Sequence, residues 1–567
     1  MRKPGDHSRR LLMAIAVFAT VYISVLTIYY TAVGPAPEDA PRLWYAWRAL
    51  GAACLSSTAV EIGIFIAWSG LKAGRIRAAA GVPLRLSGED RRALARARPS
   101  LALVMPAHGE ASTPEDRAGL ADRICDLLIK TPFYSTFFLL ADSPAHQHEN
   151  EAAVIAEVRQ RLAAAGRSPD QMRLILEEYR DKPLRWRNKP GSLLRWLQRW
   201  GPHYEFMFVL DADSALADEN RDQPETCDVV ERMLVAMIRN PRLALLQATM
   251  HIRQHLTPWG WVQAINARVA TAYYLKVFAW LYDRTTPCYG HNCLLRVGDF
   301  ARFARNSLAY TSHDHVEAAD LATAGRDCMI TDAAITLEDP EDSLLGWLKR
   351  ECRWSRGNGQ WIVYLLKKRG LPVGPVVYMG LGVLQYVWAL LGSLFFVASV
   401  VLASSHHRLI AEPHAAAAYV LVSAIVFALT VPRLLASPSL KDFAASLLIL
   451  LLLSPAIMVY QGLAFIMGAL GSRWVPRGAR SGERGLRPMI RIGTALLPIM
   501  LMGLGLSLMM AQADLSRSDG VLLMEVMVVS MVASPLLAVL VSRPWGRRQA
   551  EAQPPQSVDR AGAPAVD

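Results

Sequence analysis

The chain has 567 residues, of which 52% are hydrophobic and 19% are charged. This composition excludes a wholly soluble protein, which would be less apolar, and a chain wholly embedded in lipid, which would carry fewer charges. The net charge of +12 does not indicate nucleic-acid binding, because the basic residues flank the apolar runs instead of forming a patch interleaved with aromatic residues. We therefore predict a membrane protein that carries a large soluble domain.

Two apolar runs near the N-terminus are each long enough to cross a hydrocarbon core, which takes about 20 helical residues. They cover residues 11–33 and 49–70, and basic residues precede the first run and follow the second. Because basic residues accumulate on the cytosolic side of membrane helices, we predict two transmembrane helices in residues 1–75 and a cytosolic domain after them. The first run is followed by a second span instead of a cleavage site, so we interpret it as a retained anchor.

Residues 99–342, which follow a predicted linker at 76–98, alternate between strand-like and helix-like segments. The helical stretches include residues 152–164 and 193–200, and the β-rich runs cover residues 101–105, 136–140, 173–176 and 206–210. Such alternation predicts an α/β fold with a mostly parallel sheet and helices on both faces. In these sheets ligands bind at the carboxyl ends of the strands, so the residues that leave each strand are the candidate site residues.

Two carboxylates, Asp211 and Asp213, follow the strongly hydrophobic run at residues 206–210. Carboxylates one residue apart in a turn can share a hard divalent cation such as Mg²⁺ or Mn²⁺, and such a cation also binds a diphosphate. A solvated acidic turn is the alternative interpretation. We predict a metal site at this turn that neutralises the charge of a departing nucleotide.

A third carboxylate, Asp314, lies between His313 and His315. An inverting sugar transfer requires a general base that deprotonates the acceptor hydroxyl, and Asp314 is the candidate. The residues after it also indicate the start of a helix, so Asp314 can equally be an N-cap. Neither interpretation excludes the other.

Arg353 and Trp354 place a guanidinium and an indole side by side. Arginine can bind a diphosphate through two hydrogen bonds, and an indole face is a platform for a sugar ring. The pair lies in a region, residues 343–371, whose two amphipathic stretches suit helices in the membrane interface. Ordinary surface helices would show the same pattern.

Residues 372–545 are predicted to be a membrane region of five or six spans. Clear apolar runs cover residues 374–403, 415–434, 490–510 and 521–541. Residues 442–470 are apolar but contain Pro455, and we predict a tight hairpin or a re-entrant element there. The tail at residues 546–567 is rich in Pro, Gln and Ala and is predicted to be disordered.

The seven cysteines are scattered along the chain and include no C-x-x-C pair. Neither a disulfide framework nor a zinc site is therefore predicted. A reducing cytosolic setting fits this usage.

In combination, these motifs resemble the processive family 2 glycosyltransferases, and more closely the glucans biosynthesis glucosyltransferase H family, which makes osmoregulated periplasmic glucans. The resemblance extends over residues 101–371 and rests on Leu210-Asp211-Ala212-Asp213-Ser214, Gly290-His291-Asn292, Ser312-His313-Asp314, Val316-Glu317-Ala318 and Arg353-Trp354 followed by Gly357-Asn358. The sequence departs from the wider family at Arg350, where that family has Gln. It departs from the more similar relatives at Gly109 and Ser192, where they usually have Asn.

The resemblance implies a nucleotide-diphospho-sugar transferase domain (GT-A, Rossmann-like) inserted in a polytopic α-helical membrane protein, and a role for each matching residue. Asp213 would hold the metal with Asp211, Asp314 would be the base, and Arg353 and Trp354 would close the site. The nucleotide-sugar-binding residues would be Pro106, Glu110, Asp142, Lys189, Gly191 and Asp211, and the acceptor residues would be Gly290, His291, Asn292 and Trp354.

The function that the resemblance implies is polymerisation of glucose from UDP-glucose into a β-1,2-linked glucan backbone at a bacterial inner membrane, by metal-assisted inverting transfer. The growing glucan chain and the lipid bilayer would be partners, and acyl carrier protein is a further candidate by the same analogy. Two alternatives stay open. One is another β-glucan or cellulose-like polysaccharide synthase, and the other is a transporter whose cytosolic domain senses a nucleotide sugar.

Glu61 lies near the middle of the second apolar run. A carboxylate that faces lipid costs roughly 3 kcal/mol on insertion scales, so we predict that Glu61 faces the protein interior. One hypothesis is that it lines a path through which the growing glucan leaves, since sugar hydroxyls need polar partners. The alternative is a hydrogen-bonded Glu that packs the small residues around it against another helix.

Overall fold

The computed structural model describes residues 6–70, 81–132, 134–141, 143, 147–166, 175–178, 188–217, 228–252, 257–341, 343–405, 415–469, 486–512 and 519–542. The predicted nucleotide ligand Asp142, part of the predicted linker and the predicted disordered tail lie outside the described residues.

A mixed sheet forms the centre of the α/β domain, and its eight described strands are ordered β3-β2-β1-β4-β7-β6-β8-β5. Their bounds are β1 Leu101–Ala107, β2 Thr136–Ala141, β3 Ile175–Glu178, β4 Phe206–Val209, β5 Ala215–Leu216, β6 Leu243–Ile252, β7 Cys293–Arg296 and β8 Asp327–Glu338. β1 is parallel to β2 and β4, and β6 is parallel to β8. The sheet is mostly parallel, as expected, since only β7, between β4 and β6, and β5, beside β8, run in the opposite direction among the described strands.

The central strands are apolar on both sides, as a sheet between two helical layers requires. Leu103 of β1 and Phe208 of β4 belong to the core on one side, and Val104 and Phe138 belong to the core on the other. The Phe138 ring meets the Trp196 ring of a covering helix edge to face, with 5.5 Å between centroids. The sheet edge that carries the carboxyl ends of these strands is thereby held rigid.

Helices surround the sheet and extend the chain on both sides of it. In chain order they are α1 Asp6–Val33, α2 Arg42–Gly70, α3 Gly88–Ala97, α4 Pro114–Ile129, α5 His148–Ala164, α6 Asn188–Arg199, α7 Val229–Arg239, α8 Pro258–Val269, α9 Leu275–Tyr282, α10 Val297–Asp299, α11 His313–Thr323, α12 Leu344–Lys367, α13 Val373–Ser404, α14 Ala415–Ala436, α15 Leu440–Ala469, α16 Leu486–Gln512 and α17 Asp519–Val541. A π-helical turn, Ala270–Tyr274, joins α8 to α9.

Within the described residues, four helical segments are long and apolar enough to cross a membrane. They are Arg9–Val33, Arg42–Trp68, Val373–Ser404 and Leu440–Ile466, so two precede the sheet and two follow it. The predicted fold class, an α/β domain inserted in a polytopic α-helical chain, is confirmed.

The prediction of a hairpin or re-entrant element at residues 442–470 is wrong, because α15 is a single helix of 30 residues. Pro455 inside it cannot donate a hydrogen bond to the Leu451 carbonyl. The Ser454 hydroxyl donates to that carbonyl instead, at 3.4 Å, and the Ser530 hydroxyl of α17 donates to the adjacent Leu452 carbonyl. These side chains satisfy the backbone around the proline, so the helix continues through it.

The two amphipathic stretches expected at residues 343–371 form one helix, α12. Ser343 caps its first turn by accepting a hydrogen bond from the Gly346 N–H at 3.1 Å. Neighbouring helices hold the middle of α12, since the Ser355 hydroxyl donates to the Ala464 carbonyl of α15 at 3.2 Å and the Asn358 amide donates to the Gly382 carbonyl of α13 at 2.7 Å. Tertiary packing therefore keeps the glycine-containing centre helical.

Candidate active site

The carboxyl ends of β1, β4, β6 and β8 lie at one edge of the sheet, and several of the predicted site residues lie in segments that adjoin this edge. In the β1–β4 pair, Val104 lies opposite Val209, so the segments that follow both strands leave side by side. β7 is antiparallel, and therefore its beginning lies at this edge. The Asn292 N–H donates to the Val209 carbonyl at 2.7 Å. The fold thus brings the predicted nucleotide and acceptor segments together.

The Asp211-Ala212-Asp213 turn is held in shape by Ser214. The Ser214 hydroxyl accepts a hydrogen bond from the Asp211 N–H at 3.0 Å, and the Ser214 N–H donates to the Asp211 carbonyl at 2.9 Å. Asp213 is buried, whereas 24% of the Asp211 side chain is accessible. Two carboxylates on one rigid turn are the kind of oxygen ligands that Mg²⁺ and Mn²⁺ prefer. The residues present therefore fit a divalent cation.

Asp211 is paired with two cationic side chains. Lys189 forms an ion pair with one carboxylate oxygen, and His291 Nδ1 lies 3.7 Å from the other. His291 Nε2 lies 2.9 Å from a carboxylate oxygen of Glu338. Burial lowers the pKa of His291, but the charge of Asp211 and the hydrogen bond with Glu338 outweigh burial and raise the pKa to about 9. His291 is therefore protonated at neutral pH.

The acceptor turn, Tyr289–Asn292, is held by Gln247 of β6. Gln247 Oε1 accepts from the Tyr289 N–H at 3.0 Å, and its Nε2 donates to the carbonyls of His291 and Asn292 at 2.9 and 3.1 Å. Neither Gln247 nor Glu338 was selected from the sequence. An amide that follows the apolar run of residues 243–246 in β6 is the signal that could have identified Gln247, since a buried group of this kind must find partners.

Asp314 lies at the start of α11, directly opposite Gly290. A Cβ atom on Gly290 would lie 3.1 Å from the Asp314 Cβ and 3.5 Å from its Oδ2, and Gly290 has a φ of +77°. Only glycine therefore lets the acceptor turn approach the carboxylate this closely. The helix begins at His313 and Ser312 occupies the N-cap, so the N-cap alternative for Asp314 is wrong.

The Asp314 carboxylate is ionised at neutral pH. Burial raises its pKa, but the charges of His315, whose Nδ1 lies 3.7 Å from Asp314 Oδ1, and of His313 outweigh burial and lower the pKa to about 2. A quarter of the side chain, 25%, stays accessible. An ionised, accessible carboxylate beside the acceptor turn can accept a proton from a hydroxyl.

The second half of α12 packs against the segment that carries Asp314. The Trp361 N–H donates to the Ser312 carbonyl at 3.0 Å, and its ring stacks on His315 with 4.5 Å between centroids. Gly357 touches Ser312 so closely that a Cβ atom would overlap the serine side chain. Trp354 lies about one helical turn before Gly357 and is 47% exposed. Its indole is thus exposed on the helix that packs against the Asp314 segment, and Trp361 is a contact that the sequence did not indicate.

Arg350 stands where the wider family has Gln, and its side chain packs against the indole of Trp354. Its guanidinium lies over the indole ring, 4.6 Å from the centroid, and donates to Gln263 Oε1 at 3.4 Å. A cation over an indole face is attracted to it. Arg350 therefore orients the indole that lies beside Arg353.

The remaining predicted nucleotide residues lie along the β1 side of the same edge. Pro106 is opposite Leu140 in the β1–β2 pair, and Glu110 follows the Gly109 turn. The Gly109 N–H donates to the Ser143 hydroxyl at 2.8 Å. Gly191 is buried near the start of α6, beside Lys189.

Glu61 lies apart from this cluster, on α2. Its carboxylate accepts a hydrogen bond from the hydroxyl of Tyr274, which belongs to the π-helical turn before α9. The bond joins a membrane helix to the α/β domain. The helix-packing interpretation requires a hydrogen bond such as this one. The hypothesis that Glu61 lines a path for the growing glucan stays a prediction.

Curated proteins similar in sequence to this chain are glucosyltransferases. The chain is 30% identical over 239 residues to the glucans biosynthesis glucosyltransferase H of Bradyrhizobium diazoefficiens. The aligned region covers 40% of this chain and 31% of that protein. The resemblance to the glucosyltransferase H family is confirmed. The protein of the same name from Xanthomonas euvesicatoria is 26% identical over 407 residues, which covers 68% of this chain and 58% of that protein. These relatives agree with the glycosyltransferase domain that the motifs predict.

The chain spans less than two thirds of the length of either glucosyltransferase H relative. No family model matches it. Among solved structures, a mannosyltransferase from Pyrobaculum calidifontis in complex with GDP-Man and Mn²⁺ is similar with a TM-score of 0.42 and 13% identity, over 70% of this chain and 98% of that chain.

Replacing Gly290 with Ala is expected to slow sugar transfer by roughly a hundredfold, because the added methyl group strains the acceptor turn and displaces it from Asp314. Donor affinity should fall far less than the transfer rate, because His291 lies in the turn but Lys189, Asp211 and Asp213 lie outside it. The measurement is the rate of sugar transfer alongside donor affinity. Gly298→Ala is the matched control, because a Cβ atom there meets nothing within 4 Å. Equal rates for both variants would show that the close approach is not needed.

Proposed function

We propose that the protein is a membrane glucosyltransferase that polymerises glucose from UDP-glucose into the β-1,2-linked backbone of osmoregulated periplasmic glucans, with inversion at the sugar carbon. The observation that carries this proposal is the position of the acceptor turn, which contacts Asp314 through Gly290 and lies beside Asp211 through His291. Asp213 belongs to the same turn as Asp211. The sequence similarity to the glucosyltransferase H proteins supports the choice of sugar and product.

On the donor side, Asp211 and Asp213 would hold Mg²⁺ or Mn²⁺. A divalent ion there would neutralise charge on the departing nucleotide. Lys189 and the protonated His291 stand beside Asp211, and both can donate charge-assisted hydrogen bonds to phosphate oxygens. Pairing with Asp211 and Glu338 holds these two cations in place.

On the acceptor side, Asp314 would take the proton of the attacking hydroxyl. The acceptor turn lies between Asp314 and Asp211, since Gly290 touches the first and His291 lies near the second. A hydroxyl held at this turn would therefore attack the sugar carbon from the face opposite the departing UDP, which inverts the configuration. The exposed indole of Trp354 and the guanidinium of Arg353 would cover the acceptor.

The membrane helices would place this domain on the cytosolic side of a bacterial inner membrane, since basic residues flank the first two spans on that side. Coupling of synthesis to export is part of the proposal, because a polymer made there must cross an apolar barrier. Acyl carrier protein stays a candidate partner by analogy with the family.

The test is linkage analysis of the polymer that the purified full-length protein makes from UDP-glucose in lipid nanodiscs. We expect release of UDP and β-1,2-linked glucose. A polymer with other linkages would favour the cellulose-like alternative. Absence of both UDP release and polymer, from protein that binds UDP-glucose, would favour the sensing transporter.

Glu61 provides a test of the export step. Glu61→Leu is expected to shorten or retain the glucan in sealed vesicles while UDP release continues, and Glu61→Gln should preserve export because it keeps a polar group on the path. Tyr274→Phe is the matched control, since it removes the hydrogen bond to Glu61 and leaves the carboxylate. Unchanged polymer from folded Glu61→Leu protein would eliminate the path hypothesis.

A further inference from the structure

A cluster of buried potential metal ligands lies behind the acceptor turn. Cys288 precedes the turn, Cys293 begins β7 after it, and Glu317 comes from α11. The two Sγ atoms are 3.8 Å apart, and Cys288 Sγ lies 3.5 Å from Glu317 Oε1. One ligand atom from each of the three residues lies within 4.8 Å of the other two.

We propose that Cys288, Cys293 and Glu317 bind a structural Zn²⁺ ion. Around a tetrahedral zinc ion with Zn–S bonds of about 2.3 Å and Zn–O bonds of about 2.0 Å, two sulfur ligands lie roughly 3.8 Å apart, and a sulfur and an oxygen lie roughly 3.5 Å apart. The two separations between Cys288 and its neighbours match these values. The two separations at Cys288 are therefore already those that the ion requires, and the third, between Cys293 Sγ and a Glu317 oxygen, lies within 4.8 Å.

Two of the proposed ligands, Cys288 and Glu317, have polar contacts of the kind that orient ligands in metal sites. The Gly290 N–H donates to Cys288 Sγ at 3.3 Å, which stabilises a sulfur that carries negative charge. His313 Nδ1 lies 3.2 Å from Glu317 Oε2, so this imidazole supports the oxygen next to the proposed ligand. Outer contacts of this kind set the direction of the ligand atoms.

The proposed zinc site is separate from the Asp211–Asp213 turn and differs from it in chemistry. Thiolates favour zinc, whereas a pair of carboxylates favours magnesium or manganese. The spacing of the two cysteines is not that of a C-x-x-C pair, and Glu317 joins them only because α11 packs behind the turn. An ion there would tie the acceptor turn to the helix that carries Asp314.

The first measurement is the metal content of full-length protein purified without chelator from cells grown with added zinc. We expect about one zinc ion per chain, as for other structural zinc sites, and loss of that zinc in a Cys288→Ser, Cys293→Ser double variant. Cys328→Ser is the matched control. Cys328 is buried nearby, but its Sγ donates to the Ala318 carbonyl at 3.5 Å and is not part of the ligand set.

The second measurement replaces zinc with Co²⁺ in the zinc-depleted protein. Wild type and Asp213→Ala should both show the near-ultraviolet absorption of thiolate bound to cobalt, because oxygen ligands at the Asp211–Asp213 turn do not produce it. The double cysteine variant should lack it. Wild-type protein that carries no zinc after zinc-supplemented growth and shows no thiolate–cobalt band would overturn the proposal, whether or not the double variant folds.

Discussion

Replacement of Asp314 by Asn is expected to slow glucosyl transfer by roughly a thousandfold, the contribution of a well-placed general base. Asn keeps the shape of the side chain that packs against Gly290 but cannot accept the proton of the acceptor hydroxyl. Donor affinity should stay nearly unchanged, because the predicted donor contacts come from β1, α6 and the turn after β4. The measurements are single-turnover UDP release and equilibrium binding of UDP-glucose to the same preparation.

Asp320→Asn is the matched control for Asp314→Asn. Asp320 lies on the same helix, and its carboxylate accepts hydrogen bonds from Tyr364 at 2.8 Å and Lys368 at 2.5 Å, away from the acceptor turn. This variant should lose thermal stability but keep the transfer rate of its folded fraction. If Asp314→Asn lowers donor affinity as much as the rate, Asp314 is a donor contact or a structural residue and not the base.

Replacement of Asp213 by Ala is expected to reduce transfer by roughly a thousandfold and to remove its dependence on divalent cations, since a group that stabilises developing charge is lost. The turn itself should survive, because Ser214 holds it through the backbone of Asp211. Turnover measured against Mg²⁺ or Mn²⁺ concentration, together with direct Mn²⁺ binding, tests both parts. Chelation should stop the wild-type enzyme, and added Mn²⁺ or Mg²⁺ should restore it.

A suitable control for Asp213→Ala is Asp116→Ala, which removes a carboxylate from the first turn of α4. Asp116 accepts a hydrogen bond from the Ser112 hydroxyl at 3.0 Å and is not part of the Asp211–Asp213 turn. Its loss should leave the metal dependence unchanged. Near-normal turnover by Asp213→Ala, or by the wild type without divalent cations, would contradict the metal role.

The sequence by itself determined the features that depend on local patterns. The runs predicted at residues 101–105, 136–140 and 206–210 lie in β1, β2 and β4, because continuous apolar residues bounded by turn residues indicate buried strands. The first two apolar runs lie in α1 and α2 for a similar reason, since their length suits a bilayer. The residue types at the strand ends also indicated carboxylate and aromatic chemistry before any contact was known.

Only the tertiary structure decided the features that depend on partners distant in the chain. Three such features involve contacts between separate segments. They are the direction of β7, the contact between His291 and Glu338, and the hydrogen bonds from Gln247 to the acceptor turn. The continuity of α15 is another such feature, because Ser530 of α17 satisfies a carbonyl beside Pro455. The meeting of Cys288, Cys293 and Glu317 is a further one. Local sequence carries no record of these contacts, since each one exists only after the chain has folded around its core.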